Sequence, residues 1–508
     1  MTLAIVRSRA LIGLCAPEVR VEVHLSRGLP AFHIVGLPEA AVRESRERVR
    51  SALLQQGFEF PSRRLTVNLA PADLPKDSGR FDLPIAIGIL VASGQAPADP
   101  LAQLEFVGEL SLTGALRPIR GVLPMVLAVR DGAADRRLIV PAECAAEAAL
   151  VPGLRALSGV DLGQVCAHLR GQSELVRLEH STPAAQVQHG TVLEHIKGHH
   201  EAKRALEIAA AGGHSMLMVG PPGAGKSLLA AALPALLPPL DDQQALESAA
   251  VAALCGHFEP HHWAVRPVRS PHHSASAAAL TGGGNPPRPG EISRSHQGVL
   301  FLDELPEFTR PVLEALREPL ETGRITLSRA AHQIDLPARF QLIAAMNPCP
   351  CGYLGSARCP CPPDRVLRYQ SRISGPLLDR IDLLLSVRPV DEVTLVGRTH
   401  GPSTTEVADR VARAYARQLQ RQGIVNARLG PAEIDRHCPL DEAARTLLTR
   451  TARRLGWSSR ALHRVLRVAR SAADLDAQAH IHAEHVAEAV ALRRALLTGP
   501  EPASASMP

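Results

Sequence analysis

The spacing of apolar and polar residues divides the chain into two regions of mixed strands and helices and one helical region. Up to about residue 170, strand-like runs such as VRVEVHL and RLTVNLA alternate with amphipathic runs such as EAAVRESRERVRSALLQQG. Between residues 193 and 395, short apolar runs (SMLMVG, GVLFLD, FQLIAAMN) are separated by helical or polar stretches. Residues 396–498 keep helical spacing. The pattern predicts an α/β fold followed by an α-helical lid.

Changes in composition mark the boundaries of these regions. Residues 171–192 lose periodicity and become polar, which predicts a linker between the first domain (1–170) and the second (193–395). Residues 256–290 are rich in histidine, proline and glycine, and we predict an insertion there. The tail at 499–508 is predicted to be disordered. A chain of 508 residues is long enough for three domains with separate cores.

Composition adds two constraints on function. The net charge of +6 comes from arginine, which outnumbers lysine by 52 to 4. A polyanionic partner such as DNA would explain that excess, and so would the base composition of the genome. The N-terminal residues lack the apolar core and cleavage pattern of a signal peptide, and no apolar run reaches about 18 residues, so we expect a soluble cytoplasmic protein without a membrane partner.

The stretch SMLMVGPPGAGKSLLAAAL combines a short apolar run, a glycine-rich turn and a helix-forming run. Its glycines let successive backbone N–H groups turn toward a polyphosphate. In this G-x-x-x-x-G-K-S pattern the lysine reaches the β- and γ-phosphates, and the serine hydroxyl completes a Mg²⁺ shell. We therefore predict ATP and Mg²⁺ as ligands of Gly220, Pro221, Pro222, Gly223, Ala224, Gly225, Lys226, Ser227 and Leu228.

Polar side chains follow the next two apolar runs. GVLFLDELPE ends in a pair of carboxylates, where Asp303 would hold Mg²⁺ and Glu304 would polarise the attacking water. FQLIAAMN delivers Asn347 at its end, a position from which an amide would sense the γ-phosphate. Together with Lys226, these residues predict a site that hydrolyses the nucleotide.

Four cysteines lie close together in NPCPCGYLGSARCPCPP: Cys349, Cys351, Cys359 and Cys361. Four thiolates at this spacing would surround one tetrahedral Zn²⁺ and leave no open position for catalysis. The C-x-C pairs are tighter than the common C-x₂-C spacing, so free thiols remain an alternative to a structural zinc site.

The first domain resembles the protease domain of the Lon family over PKDSGRFDLPIAIGIL and VGELSLTGALRPIRGVLPMVLAV. Proteolysis in that family needs a serine in a small-residue turn after PKD and a lysine in the later helix. Here Arg80 and Phe81 occupy the turn, and no lysine lies near VLPMVLAV. We infer an inactive relative that serves for docking or oligomerisation, with Ser78 and Lys76 as the remaining protease alternative.

Two arginines are ambiguous from the residues alone. Arg380 is flanked by Asp379 and Asp382, which is typical of a surface salt-bridge cluster. Arg460 stands in the first turn of the helix predicted by SSRALHRVLRVAR, where the helix dipole disfavours a cation. A bound phosphate nearby would explain its position.

Three features resemble the ComM/YifB family, a magnesium-chelatase-like branch of the AAA+ ATPases. They are the Lon-like domain, the RPVRSPHHSAS insertion, and the block AAMNPCPCG followed by SRISGPLLDRIDL. The resemblance implies a homo-oligomeric ring, a hexamer, with ATP at each subunit interface. It assigns Arg380 as the arginine finger, Asn347 as sensor 1 and Arg460 as sensor 2. It also implies ATP-driven branch migration of DNA in natural transformation, with recombination proteins as partners.

These features favour a ring-forming DNA motor. Its DNA contacts would lie on the insertion, as a mobile loop carrying Arg266 and Arg269, and on the hairpin predicted by RITLSR and HQIDL, which carries Arg324 and Arg329. A plain solvated insertion is the alternative for residues 256–290. The alternative function is a magnesium-chelatase-like or protein-remodelling ATPase with a protein client.

Overall fold

The computed structural model describes most of the chain. The described residues are 2–36, 40–76, 78–132, 135–183, 192–256, 258–284, 287–328, 333–396 and 401–493. The predicted tail, Arg329 and residues 184–191 of the predicted linker lie outside these ranges. Within them, no helix combines the length and the apolar character that crossing a bilayer requires.

An eight-stranded mixed sheet forms the first domain. Its elements are β1 (Leu3–Arg9), β2 (Glu18–Ser26), β3 (Ala31–Val35), α1 (Ala40–Gln55), β4 (Arg64–Ala70), α2 (Asp82–Ala92), β5 (Leu104–Phe106), β6 (Glu109–Leu110), β7 (Leu116–Arg117), α3 (Val122–Arg130), β8 (Arg137–Pro141), α4 (Ala145–Ala148), β9 (Ala156–Gly159), α5 (Leu162–Leu169) and β10 (Val176–Arg177). The strand order is β10-β9-β8-β5-β1-β2-β4-β3. Helix α2 is buried along its whole length against β1 and β2, because apolar residues occupy most of its positions. Strand β10 falls within the predicted linker, so that part of the linker belongs to this sheet.

A five-stranded parallel sheet forms the centre of the second domain. Its elements are α6 (His200–Gly212), β11 (Met216–Val219), α7 (Lys226–Ala232), α8 (Asp242–Cys255), β12 (Val268–Arg269), α9 (Ala277–Thr281), β13 (Gly282–Gly283), β14 (Arg288–Pro289), α10 (Glu291–Arg294), β15 (Val299–Leu302), α11 (Arg310–Ala315), α12 (Arg317–Thr322), β16 (Arg324–Ser328), β17 (Gln333–Pro337), β18 (Gln341–Met346), α13 (Pro363–Gln370), α14 (Gly375–Leu378), β19 (Leu383–Ser386) and α15 (Glu392–Val396). The strand order is β12-β15-β18-β11-β19. Strands β16 and β17 pair as the predicted hairpin.

The parallel arrangement determines which loops meet. Every neighbouring pair in the five-stranded sheet runs in the same direction. The residues that follow β11, β15 and β18 therefore gather at one edge, and those that precede these strands gather at the opposite edge.

Five helices form the predicted lid. They are α16 (Thr404–Gln422), α17 (Pro431–His437), α18 (Glu442–Leu455), α19 (Ser459–Leu475) and α20 (Ala483–Ala491). Helix α6 packs against α16 and α19, and one hydrophobic core continues from β11 through α6 into the lid. An ion pair between Arg410 and Glu207 (2.6 Å) adds a polar contact across the same boundary. The lid is therefore packed onto the parallel sheet rather than tethered beside it.

The described residues of the insertion at 256–290, which the sequence predicted as a projecting loop or a solvated insertion, include a buried side chain and a strand of the parallel sheet. Strand β12 extends the parallel sheet beside β15. Trp263 is buried, with 4% of its surface exposed, in a core that α3 of the first domain shares with α8 of the second. The described part of the insertion thus packs against both domains: Trp263 lies in their shared core, and β12 pairs with β15.

Replacement of Trp263 by alanine should destabilise the contact between the first two domains. Loss of a buried tryptophan side chain costs about 3–5 kcal/mol, so the melting temperature of W263A should fall by several degrees in scanning calorimetry. His261→Ala is the matched control, because His261 lies in the same turn with an exposed side chain. Equal melting temperatures for W263A and the parent would contradict this packing.

Candidate functional site

Residues 220–225 form the predicted phosphate loop between β11 and α7. Gly225 has φ +83°, a left-handed conformation that favours glycine, at the start of α7. A Cβ on Gly220 would collide with the carbonyl oxygen of Val387. Glycine at these two places allows the tight backbone path that brings N–H groups close to a polyphosphate.

Lys226 is held against the phosphate loop by three oxygen atoms. Its Nζ donates to the carbonyl oxygens of Gly220 (2.8 Å) and Pro221 (2.9 Å) and to Oδ1 of Asn347 (3.1 Å). Burial lowers the pKa of Lys226, although the nearby carboxylates oppose this shift. The lysine and the predicted sensor amide therefore meet directly, at the place where a γ-phosphate would contact both.

The two carboxylates that follow β15 face the same loop. Ser227 Oγ donates to Asp303 Oδ2 (2.7 Å), which brings together a hydroxyl and a carboxylate, oxygen ligands that suit Mg²⁺. Glu304 follows with φ +52°, a conformation that is uncommon for a residue other than glycine and that is found at functional sites. The carboxylate of Glu304 is half-exposed and faces the site.

These residues line one cavity of about 380 Å³. The lining residues are Pro222, Gly223, Ala224, Gly225, Lys226, Ser227, Leu228, Asp303, Glu304, Met346 and Asn347. Gly220 and Pro221 contribute their carbonyl oxygens to Lys226 instead. The sequence motifs from three separate strands thus meet at one place, at the edge of the sheet where the parallel arrangement requires them.

Arg380 and Arg460 lie at the opposite end of the parallel sheet. They line a second cavity, of about 800 Å³, together with Ser215 and Gln341, which stand at the beginning of β11 and β18. The phosphate loop follows the far end of β11, a strand about 13 Å long. An extended arginine side chain reaches roughly 7 Å. Neither arginine therefore meets the phosphate loop of its own chain.

The turn that carries Arg380 is connected to the lid. Arg380 forms an ion pair with Glu321 rather than with its neighbours in sequence. Asp382, which is buried, accepts hydrogen bonds from His214 (3.1 Å) and from Arg464 of α19 (3.3 Å). Burial opposes ionisation, yet the contact with His214 and the nearby arginines lower the pKa of Asp382 overall. An ionised Asp382 therefore fixes the turn against α19.

The four cysteines come together as a metal site requires. Their Sγ atoms all lie within 4.8 Å of one another, and the distances from Cys351 to Cys349 and Cys359 are 3.3 and 3.6 Å. Four Zn–S bonds of about 2.3 Å in a tetrahedron require S–S separations of about 3.8 Å. The backbone N–H of Tyr353 bonds to Cys351 and lowers the pKa of its thiol to about 7. This geometry fits one Zn²⁺ held by Cys349, Cys351, Cys359 and Cys361.

The arginines predicted to touch DNA have different surroundings. Arg266 donates to two backbone carbonyl oxygens, and Arg269 forms a two-bond ion pair with Glu291 (2.6 and 3.0 Å). Both guanidinium groups have hydrogen-bond partners within the second domain, and their contact with DNA stays a prediction. Arg324 is exposed at the start of β16, and Arg329 lies outside the described residues.

The Lon-like turn does not form a catalytic pair. Ser78 Oγ accepts a hydrogen bond from Arg80 Nε (2.9 Å). Lys76 is buried, and its Nζ donates to the carbonyl oxygen of Pro71. Because the serine and the lysine bind different partners, the remaining protease alternative lacks the geometry of a dyad.

One residue beside Glu304 was missed by the sequence analysis. His273 Nδ1 lies 3.2 Å from Glu304 Oε2. The histidine belongs to the segment that follows β12, and the pairing of β12 with β15 brings this segment to the carboxylate. The RSPHHSAS motif is visible in the sequence, but the contact forms because β12 pairs with β15. Strand β12 has only two residues, too few for the sequence pattern to predict that pairing.

The parallel sheet, the phosphate loop with its paired carboxylates and the helical lid define an AAA+ fold of the magnesium chelatase class. Three family profiles agree with this assignment. Magnesium chelatase, subunit ChlI, matches residues 192–395; subunit ChlI of Mg-chelatase matches residues 21–144; and the magnesium chelatase subunit ChlI C-terminal family matches residues 401–493.

Whole-chain similarity identifies the branch within this class. Competence protein ComM of Haemophilus influenzae is 48% identical over 499 residues, which cover 97% of this chain and 98% of that protein. Uncharacterized protein YifB of Salmonella typhimurium is 48% identical over 97% of both chains. The chain belongs to the ComM/YifB family, as its motifs predicted. Lon protease 2 of Bacillus subtilis is 26% identical over 140 residues, 25% of each chain.

Replacement of His273 by alanine should raise basal ATP hydrolysis. A polar contact at such an exposed position is worth about 0.2–1 kcal/mol, so release of Glu304 should increase kcat about 1.5- to 5-fold with little change in KM. His272→Ala is the control, because His272 contacts Ser274 (2.8 Å) rather than Glu304. A lower kcat for H273A than for H272A would show that His273 assists Glu304 instead of restraining it.

Proposed function

We propose that this chain is an ATP-driven DNA motor whose copies assemble into a hexameric ring and move DNA branches during recombination. The observation that carries the proposal is the position of Arg380 and Arg460, at the end of the sheet opposite the phosphate loop. A site whose arginines are out of reach within one chain is completed when a second copy docks head to tail. The similarity to a protein named competence protein supports DNA as the substrate.

The phosphate-loop side of the site would bind ATP and position water. The loop backbone and Lys226 would hold the β- and γ-phosphates, and Asn347 would respond to the γ-phosphate. Ser227 and Asp303 would hold Mg²⁺, which supplies positive charge to the phosphate oxygens. Glu304 would orient the attacking water and accept its proton, since its half-exposed carboxylate faces the cavity.

The arginine side of the site would act on the ATP of the neighbouring copy. Arg380 would serve as the arginine finger, which stabilises the charge that develops on the transferred phosphoryl group. Arg460 would serve as sensor 2 beside it. The ion pair of Arg380 with Glu321 must open for this contact, and Glu321, whose side chain is 56% exposed, would then be solvated. Because Asp382 connects the same turn to α19, movement of the lid would move Arg380.

The remaining parts would support DNA binding and assembly. Arg324 on the β16–β17 hairpin is the candidate contact to DNA in the ring pore, together with Arg329, which lies outside the described residues. The four cysteines would bind a structural Zn²⁺. The Lon-like domain would serve as a docking or oligomerisation platform, and recombination proteins are candidate partners of the ring.

DNA should stimulate ATP hydrolysis by the purified protein. With ATP and Mg²⁺, single-stranded DNA or a four-way junction should raise the turnover rate, and a labelled junction should be converted to its branch-migrated products. Lys226→Ala should lower both activities by about a hundred-fold or more, because the phosphate loop loses its cation. The measurements are phosphate release and gel separation of the labelled strands.

The same experiment separates the alternative function. A magnesium-chelatase-like or protein-remodelling ATPase would hydrolyse ATP at a rate that DNA leaves unchanged. Junction migration at equal rates by the parent and by K226A would contradict the motor proposal, because the movement would then not depend on this site.

A further inference from the structure

The loop that carries the four cysteines, residues 349–361, begins beside the nucleotide site. It follows Asn347, whose Oδ1 accepts a hydrogen bond from Lys226 (3.1 Å). Cys349, two residues later, is fully buried. The first sulfur of the cluster is therefore separated by one residue from the amide that meets the catalytic lysine.

The cysteine loop also touches the phosphate loop directly. A Cβ built on Gly352 would lie 2.7 Å from Cγ of Pro222 and closer still to its Cδ. Carbon atoms do not approach this closely, so the backbone of Gly352 rests against the proline ring of the phosphate loop. Any displacement of the cysteine loop at Gly352 would displace Pro222 or open a gap beside it.

The cysteine loop is not held by regular secondary structure. Within the described range 333–396, residues 347–362 contain neither helix nor strand. A segment of this length without regular structure needs a cross-link or a ligand to hold one conformation. The convergence of four Sγ atoms within 4.8 Å supplies a site for such a ligand.

We propose that Zn²⁺ bound by the four cysteines holds the phosphate loop in the conformation that binds ATP, through the contact between Gly352 and Pro222. The inference rests on the nucleotide site of the proposed function and is independent of DNA. The metal is then a positioning element for nucleotide affinity, and Gly352 is the residue that transmits its effect.

Two glycines of the cysteine loop provide a matched test. Gly352 and Gly355 both have φ +86°, but a Cβ on Gly355 would meet no atom within 4 Å. Alanine therefore imposes the same backbone strain at both positions and a collision with Pro222 at only one. Binding of a fluorescent ATP analogue is measured by titration, and zinc content by mass spectrometry.

We expect both variants to retain one zinc per chain. G352A should bind the nucleotide about ten-fold more weakly than the parent, because overpacking of one methyl group disturbs the loop, whereas G355A should bind within about two-fold of it. Equal affinities for G352A and G355A would overturn the proposed transmission, whether both match the parent or both are weakened.

Removal of the metal gives a second, independent measurement. Treatment of the parent with a chelator should weaken nucleotide binding to the level of G352A, and added Zn²⁺ should restore it. Cys359→Ser should lose the zinc and show the same weakened binding. A parent protein that contains no zinc, or a zinc-free protein that binds nucleotide as tightly as the loaded one, would overturn the inference while leaving the ATPase proposal intact. A zinc-loaded parent that binds no nucleotide would overturn both.

Discussion

The parallel alignment of β11, β15 and β18 is the constraint on which the rest of the structure depends. In register, these strands deliver Lys226, Asp303 and Asn347 to one cavity from segments that are far apart in sequence. The same alignment sends Arg380 to the other end of the sheet. The parallel alignment thus brings together the residues on the phosphate side of an ATP site. It places the arginines that would complete the site at the other end of the sheet.

Two further contacts connect this sheet to its surroundings. At the arginine end, buried Asp382 joins the turn of Arg380 to α19 of the lid through Arg464. At the phosphate end, the cysteine loop lies against Pro222. Under the proposals above, nucleotide affinity and subunit contact would therefore be controlled from opposite ends of the same strands.

The sequence predicted well which residues lie together at the strand ends, and it predicted the packing around them less well. The phosphate loop and the Asp303–Glu304 pair are contiguous motifs, so their local structure follows from a few residues. The contact of His273 with Glu304 and the burial of Trp263 depend on a two-residue strand and on a neighbouring domain. Arg269 illustrates the same limit, since charge alone cannot reveal that this arginine pairs with Glu291.

Mixing of two inactive variants tests whether each ATP site is shared between two copies of the chain. K226A lacks the phosphate side and Arg380→Ala lacks the arginine side, so neither alone should hydrolyse ATP at an appreciable rate. In a 1:1 mixture that assembles randomly, about a quarter of the interfaces combine two intact sides. The mixture should therefore recover about a quarter of the turnover rate of the parent protein. No recovery at any mixing ratio, or parent-like turnover by R380A alone, would contradict it.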